Sequence, residues 1–232
     1  MSKKAEIIGS HFPTIYLTVI SLLQGIALSQ LVPNIITYLE IAEHPFSDLR
    51  FLPLILMLFV IFIVWHHYAI GIFFLRWFPN IIDTILPFFV SIGQFILISF
   101  ITIKTSIDDI DVVTWTKGFA IFVILGSLAY FSASWRLEPD LFLNIMSQQN
   151  AEAHCRRAAR IYNWAGISIL IQGLFAGLIV LTGNHALLLV SLVFFILHLF
   201  FTEYFKLRDL KPAFIRALDD LDADEKKSPE KK

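Results

Sequence analysis

From Ile161 to Thr202 the chain carries no Asp, Glu, Lys or Arg. A helix needs only about 20 mostly apolar residues to cross the hydrocarbon core of a bilayer. The uncharged run is therefore too long for one crossing and long enough for two. It breaks at Thr182-Gly183-Asn184-His185, where Gly and Asn favour a tight turn. The expectation is a helical hairpin in lipid. A second uncharged run, from Phe51 to Leu75, is long enough for a single crossing.

The rest of the sequence agrees. Of the 232 residues 57% are hydrophobic and only 16% charged, with 23 Phe and a mean hydropathy of +0.72. A soluble core of this size has no room for so much apolar surface, so lipid is the natural solvent. A net charge of −1 gives no reason to expect a nucleic-acid partner. A single cysteine, Cys155, excludes an intrachain disulfide and a cysteine-rich metal framework. No glycine-rich phosphate loop and no nucleophile motif occurs, so we expect no soluble-type enzyme, no metal and no cofactor. Lys3-Lys4 followed by an apolar run and Ala27-Leu28-Ser29 resembles a signal peptide. The apolar run continues to Leu39, however, and reads as a membrane span.

Six segments qualify as spans, at about 14–39, 51–75, 81–103, 115–135, 162–182 and 186–205. The predicted fold is all-α, a polytopic membrane protein with one transmembrane domain over 1–205 and a tail over 206–232. Lys and Arg set the orientation. With both termini on the cytoplasmic side, only Arg50, Lys104 and Lys117 of the 18 basic residues fall outside. Trp77, Trp115, Trp135 and Trp164 fall near span ends, as an aromatic belt places them. The one long loop, 137–160, lies inside. Pro139 opens its expected interfacial helix, Leu141, Phe142, Ile145 and Met146 give it an apolar face, and Arg156, Arg157 and Arg160 meet anionic headgroups. From Lys206 the tail alternates apolar and charged residues, as in a short amphipathic helix that resumes after Pro212, and ends in a charged segment expected to be disordered.

Polar groups within spans are costly and mark packing contacts or water-lined paths. The candidates here are Gln24 in span one, His66 and His67 in span two, Asp83 and Gln94 in span three, Gln172 in span five and His198 in span six. At ~1.5 Å per residue, His67 lies about 14 Å of helix from Arg76 and His198 about 12 Å from Lys206, so the histidines share a depth in the inner half. The glutamines lie nearer mid-span. Asp83 follows Pro79-Asn80 and also suits the first turn of a helix capped by Asn80. Adjacent helix positions differ by ~100°, so His66 and His67 cannot face one partner together. A short echo links Ile20–Ser29 ("ISLLQGIALS") with Ile167–Gly177 ("ISILIQGLFAG"); each places a Gln-Gly pair near mid-span.

Three stretches also resemble a known family. They are "LLQGIALSQLV" from Leu22 to Val32, "WHHYAI" from Trp65 to Ile70 and "DTILPFFV" from Asp83 to Val90. Over about the first 90 residues the chain resembles prokaryotic relatives of the lysosomal-type potassium channels, six-span proteins that assemble as tetramers. Where that family has Arg and then Phe-Ser-Asp, this chain reads Leu22-Leu23-Gln24. The resemblance implies a homo-oligomer in which span one lines a pore, with Leu28 and Leu31 as a constriction that gates by dewetting.

The expected function is thus a small homo-oligomeric cation channel or passive transporter of a bacterial-type inner membrane, with Gln24, Leu28 and Leu31 facing the path and His66, His67 and Asp83 in an inner polar network. Two rivals differ in class. One is a non-catalytic anchor or sensor that docks a cytoplasmic protein through 137–160 or 206–232. The other is a redox subunit holding haem or quinone between His66 or His67 and His198.

Overall fold

The computed structural model describes residues 3–75, 81–143, 147–184 and 186–205, with Arg208 and Ile215. Apart from those two residues, the tail lies outside the described residues, as do Arg76 and Trp77. The described residues contain six long helices, two short 3₁₀ turns and no strand. The helices are α1 (Lys3–Ile41), α2 (Phe51–Leu75), α3 (Ile81–Ser99), α4 (Val112–Trp135), α5 (Gln148–Thr182) and α6 (Leu187–Phe205). Four of them, α1, α2, α4 and α5, are long and apolar enough to cross a membrane. In α3 and α6 the apolar stretches are shorter, Ile85–Phe100 and Leu187–Thr202. The protein is therefore a helical membrane protein. Its apolar residues point both ways: Leu31, Leu54, Met57 and Phe119 are buried, while Leu22, Phe89, Ile121, Leu174 and Phe200 lie on the outside, where lipid replaces water.

Local chemistry sets the helix ends. Asp111 caps α4 by accepting the Thr114 N–H at 2.9 Å, and Ser147 caps α5 by accepting that of Asn150. Gly183 ends α5 in the left-handed region, φ 67°, with its N–H on Ile179 O at 2.8 Å. Asn184 Oδ1 then accepts the Ala186 N–H, and α6 begins at Leu187. The hairpin break lies where Thr182–His185 predicts it.

The inner loop differs from expectation. Among the described residues of this loop only Pro139–Phe142 forms a turn of its own, a 3₁₀ turn; Ile145 and Met146 lie outside the described residues, and residues 148–160 are the first turns of α5 rather than a separate interfacial helix. The reason is local: between Ser147 and Gly166 no Gly or Pro interrupts the helix. His154 and Cys155 turn inward, and His154 packs on Phe142 with ring centroids 4.9 Å apart.

Neighbouring helices pack closely where glycine permits. A methyl group at Gly166 would stand 2.8 Å from the Phe131 ring, and one at Gly173 would stand 2.9 Å from Ile124. These contacts, with Gly126 opposite Ile169, make α4 and α5 an antiparallel pair. Gly177, four residues after Gly173 on α5, meets nothing within 4 Å.

The loops 42–50 and 100–111 meet at one end of the bundle. Arg50 pairs with Asp48 at 2.8 Å and also with Asp108 of the other loop. Asn34 accepts the Ile103 N–H at 2.8 Å. Burial pushes the Asp48 carboxyl up, but hydrogen bonds from Arg50 outweigh it and the net shift is downward. Asp109 accepts N–H groups from Ser106, Thr105 and Lys104, which hold its carboxyl down at about 2. Trp115 departs from the belt expected of it. It is fully buried and stacks on Phe119 at 4.7 Å, whereas Trp135 and Trp164 are exposed.

Candidate functional site

The polar interior falls into two regions. The first is a pair of amide contacts. Gln94 Nε2 of α3 donates to Gln24 Oε1 of α1 at 3.1 Å, with both residues buried. Gln172 of α5 lies 2.9 Å from the hydroxyl of Ser191 on α6. With its nitrogen turned toward α6, its amide donates to Ser191 Oγ and O and accepts the Phe195 N–H at 3.0 Å. The two echoed Gln-Gly stretches thus play the same part, each joining its helix to a neighbour. Ser91 Oγ and Gln94 Oε1 are also buried, with no hydrogen-bond partner among the described residues.

The second region gathers four helices around two histidines. His67 of α2 is buried, and its Nδ1 lies 2.8 Å from Ile63 O, one turn back. Its ring stands 5.8 Å from that of His198 on α6, with 29° between the planes. Tyr130 of α4 lies edge-on to His67 at 5.1 Å and stands 6.3 Å from His198. Tyr162 of α5 stands 6.0 Å beyond Tyr130. The matched depth of His67 and His198 is thus a contact. His66 points elsewhere: its ring is 6.0 Å from that of His67, nearly perpendicular, and the residue is only part-buried. Beside it Trp65 donates to Ser21 Oγ of α1 at 3.1 Å.

The remaining candidates are placed as follows. Leu31 is buried and Leu28 half-buried, both packed against other helices of the same chain. Asp83 stands in the first turn of α3, but its side chain and that of Glu203 lie outside the described residues. Arg156, Arg157 and Arg160 are exposed on the first turns of α5. No cluster of three or more His, Cys, Asp or Glu residues suited to a metal ion occurs among the described residues.

Sequence reasoning missed Tyr130 and Tyr162. One signal bears on Tyr162: it stands at the start of the uncharged hairpin, toward the same end of the pair as His198. For Tyr130 the signal is the Gly166–Phe131 contact that sets the register of α4 on α5, and it is visible only in the fold. No protein-family model matches the chain, and no characterised protein or solved structure matches it either.

Proposed function

We propose that the chain is a passive cation transporter of a bacterial-type inner membrane, a homo-oligomeric channel with all six helices as spans and both termini on the cytoplasmic side. The observation that carries this reading is the contact of His67 with His198 in the buried interior, flanked by Tyr130. Ionisable groups at that depth are expensive for a purely structural bundle. Histidine is also the side chain that changes charge between pH 5 and 8. Tyr130 faces the pair, with Tyr162 beyond it and His66 alongside His67. The glutamines add polar surface nearer mid-span, and Ser91 Oγ and Gln94 Oε1 add hydrogen-bonding capacity. Because Gln24 and Leu31 are buried within their own chain, the proposed path runs through the helix bundle rather than along the outer face of α1. Ser29 and Gln30 are polar and exposed in mid-span, which supports assembly with a second copy packed over them. The resemblance of the first three spans makes potassium the first ion to test. Purified protein in liposomes under a potassium gradient, from pH 5.5 to 8, should show flux above protein-free liposomes. Folded, correctly inserted protein without flux overturns the proposal.

A second reading rests on a separate observation. The 35 residues of α5 span ~52 Å, against a hydrocarbon core of ~30 Å, so its first turns extend beyond that core with their arginines exposed. A membrane anchor or sensor that docks a cytoplasmic protein there would lose that partner on deletion of 137–160, or of 206–232, in a pull-down.

A further inference from the structure

An open cleft of about 360 Å³ runs along α5, lined by Arg156, Ala159, Arg160, Asn163, Trp164 and Ile167. These form two parallel rows at four-residue spacing: Arg156, Arg160 and Trp164 on one side, Ala159, Asn163 and Ile167 on the other. We propose that this cleft binds one anionic phospholipid, with its phosphate between Arg156 and Arg160 and its glycerol and upper acyl carbons against Trp164 and Ile167. The inference does not depend on conduction.

Depth is the first argument. α5 ends at Thr182, and a ~30 Å hydrocarbon core is crossed in about 20 residues, which puts the other boundary near Asn163. Trp164 therefore sits at headgroup level, where tryptophan is favoured. Arg160 stands one turn further out, ~6 Å, at the level of lipid phosphates, and Arg156 one turn beyond that. Ile167 begins the apolar side. Along its length the cleft passes from cationic to aromatic to apolar, the order in which a phospholipid presents phosphate, glycerol and chains.

Charge is the second argument. Arg160 makes no hydrogen bond or ion pair among the described residues. Arg156 has only Glu152, an exposed partner one turn away at 3.4 Å, and such pairs hold weakly. Two guanidinium groups one turn apart are suited to several charge-assisted hydrogen bonds to one phosphate. Asn163 is fixed from behind: its side-chain amide lies 2.7 Å from Ser134 Oγ of α4. Ala159 contributes only a methyl group, so the floor between the rows stays open.

The test uses the full chain in nanodiscs of phosphatidylcholine doped with a minor fraction of phosphatidylglycerol. Native mass spectrometry should find phosphatidylglycerol retained on the released protein, and its thermal midpoint should exceed that in pure phosphatidylcholine. Arg156→Gln with Arg160→Gln should lower the retained lipid about tenfold, as loss of a charged hydrogen bond implies, and abolish the thermal gain. Arg157→Gln, equally exposed but outside the cleft, should change neither. Retention by the double variant overturns the proposal, and so does an equal loss in Arg157→Gln, which would make the effect diffuse charge. If soluble glycerol phosphate in pure phosphatidylcholine reproduces the thermal gain, the site takes soluble phosphate and the lipid assignment fails.

Discussion

The two polar regions inside the bundle differ in what their side chains can become. In the glutamine region each amide is neutral at every pH and is answered by another neutral group, Gln24 by Gln94 and Gln172 by Ser191. In the histidine region the rings of His67 and His198 stand 5.8 Å apart beside Tyr130, and imidazole is a side chain able to gain charge near neutral pH. Both regions join helices, but only the second holds side chains that the proposed function makes proton-responsive. Buried polarity in lipid thus takes two forms here: amide contacts between neutral groups, and imidazole contacts between ionisable ones.

That contrast can be broken most sharply through the helix pair beneath the histidines. Gly166→Val places a side chain 2.8 Å from the Phe131 ring and forces α4 from α5. Overpacking of this kind costs about 1–3 kcal/mol, and it should part Tyr130 from Tyr162. A thermal midpoint in detergent that does not fall would contradict the close α4–α5 approach. The amide contact should matter less. Gln24→Leu leaves Gln94 without its acceptor and should cost about 1 kcal/mol, near the range for interhelical hydrogen bonds in membranes. Adding Gln94→Leu should recover most of that loss, because two apolar partners leave no group unsatisfied. Neither change should move any pH dependence; a moved pH profile would mean that the amides belong to the responsive region.

The smallest effect lies outside the membrane and gives the comparison a control. Asp109 is held down at about 2 by backbone N–H groups of Ser106, Thr105 and Lys104. A depressed carboxyl contributes stability above its unfolded pKa of about 4, and that contribution is lost as pH falls toward 2. Thermal melts between pH 5 and 2 should therefore show an acid-induced loss that shrinks in Asp109→Asn. An identical loss in the variant would contradict the anchoring of this loop. Above pH 5 the group stays ionised, so it cannot mimic histidine titration.

Much of the fold is legible in the sequence because lipid simplifies the code. An uncharged run from Ile161 to Thr202, with Gly183 and Asn184 near its centre, has few solutions, and α5 and α6 adopt the expected one. The long inner loop misleads because Pro139 starts only a 3₁₀ turn, while the next helix takes its start from Ser147 further on. Trp115 misleads for a related reason. Nearness to a span end gives its depth, but whether it faces lipid or Phe119 depends on helix rotation, which tertiary packing sets. The histidines' common depth follows from counting residues to the nearest basic side chain. Their contact, and the tyrosines around it, depend on the rotation of four helices, which an apolar sequence with weak periodicity does not encode.

The most direct test of the central claim compares potassium flux from pH 5.5 to 8 in three proteoliposome preparations: wild type, His67→Phe with His198→Phe, and Gln24→Leu with Gln94→Leu. Protein level and orientation must be matched. The account predicts that flux varies with pH in the wild type and the glutamine variant, and that the ratio between the pH extremes falls to roughly one in the histidine variant. A histidine variant that keeps the wild-type profile would contradict it.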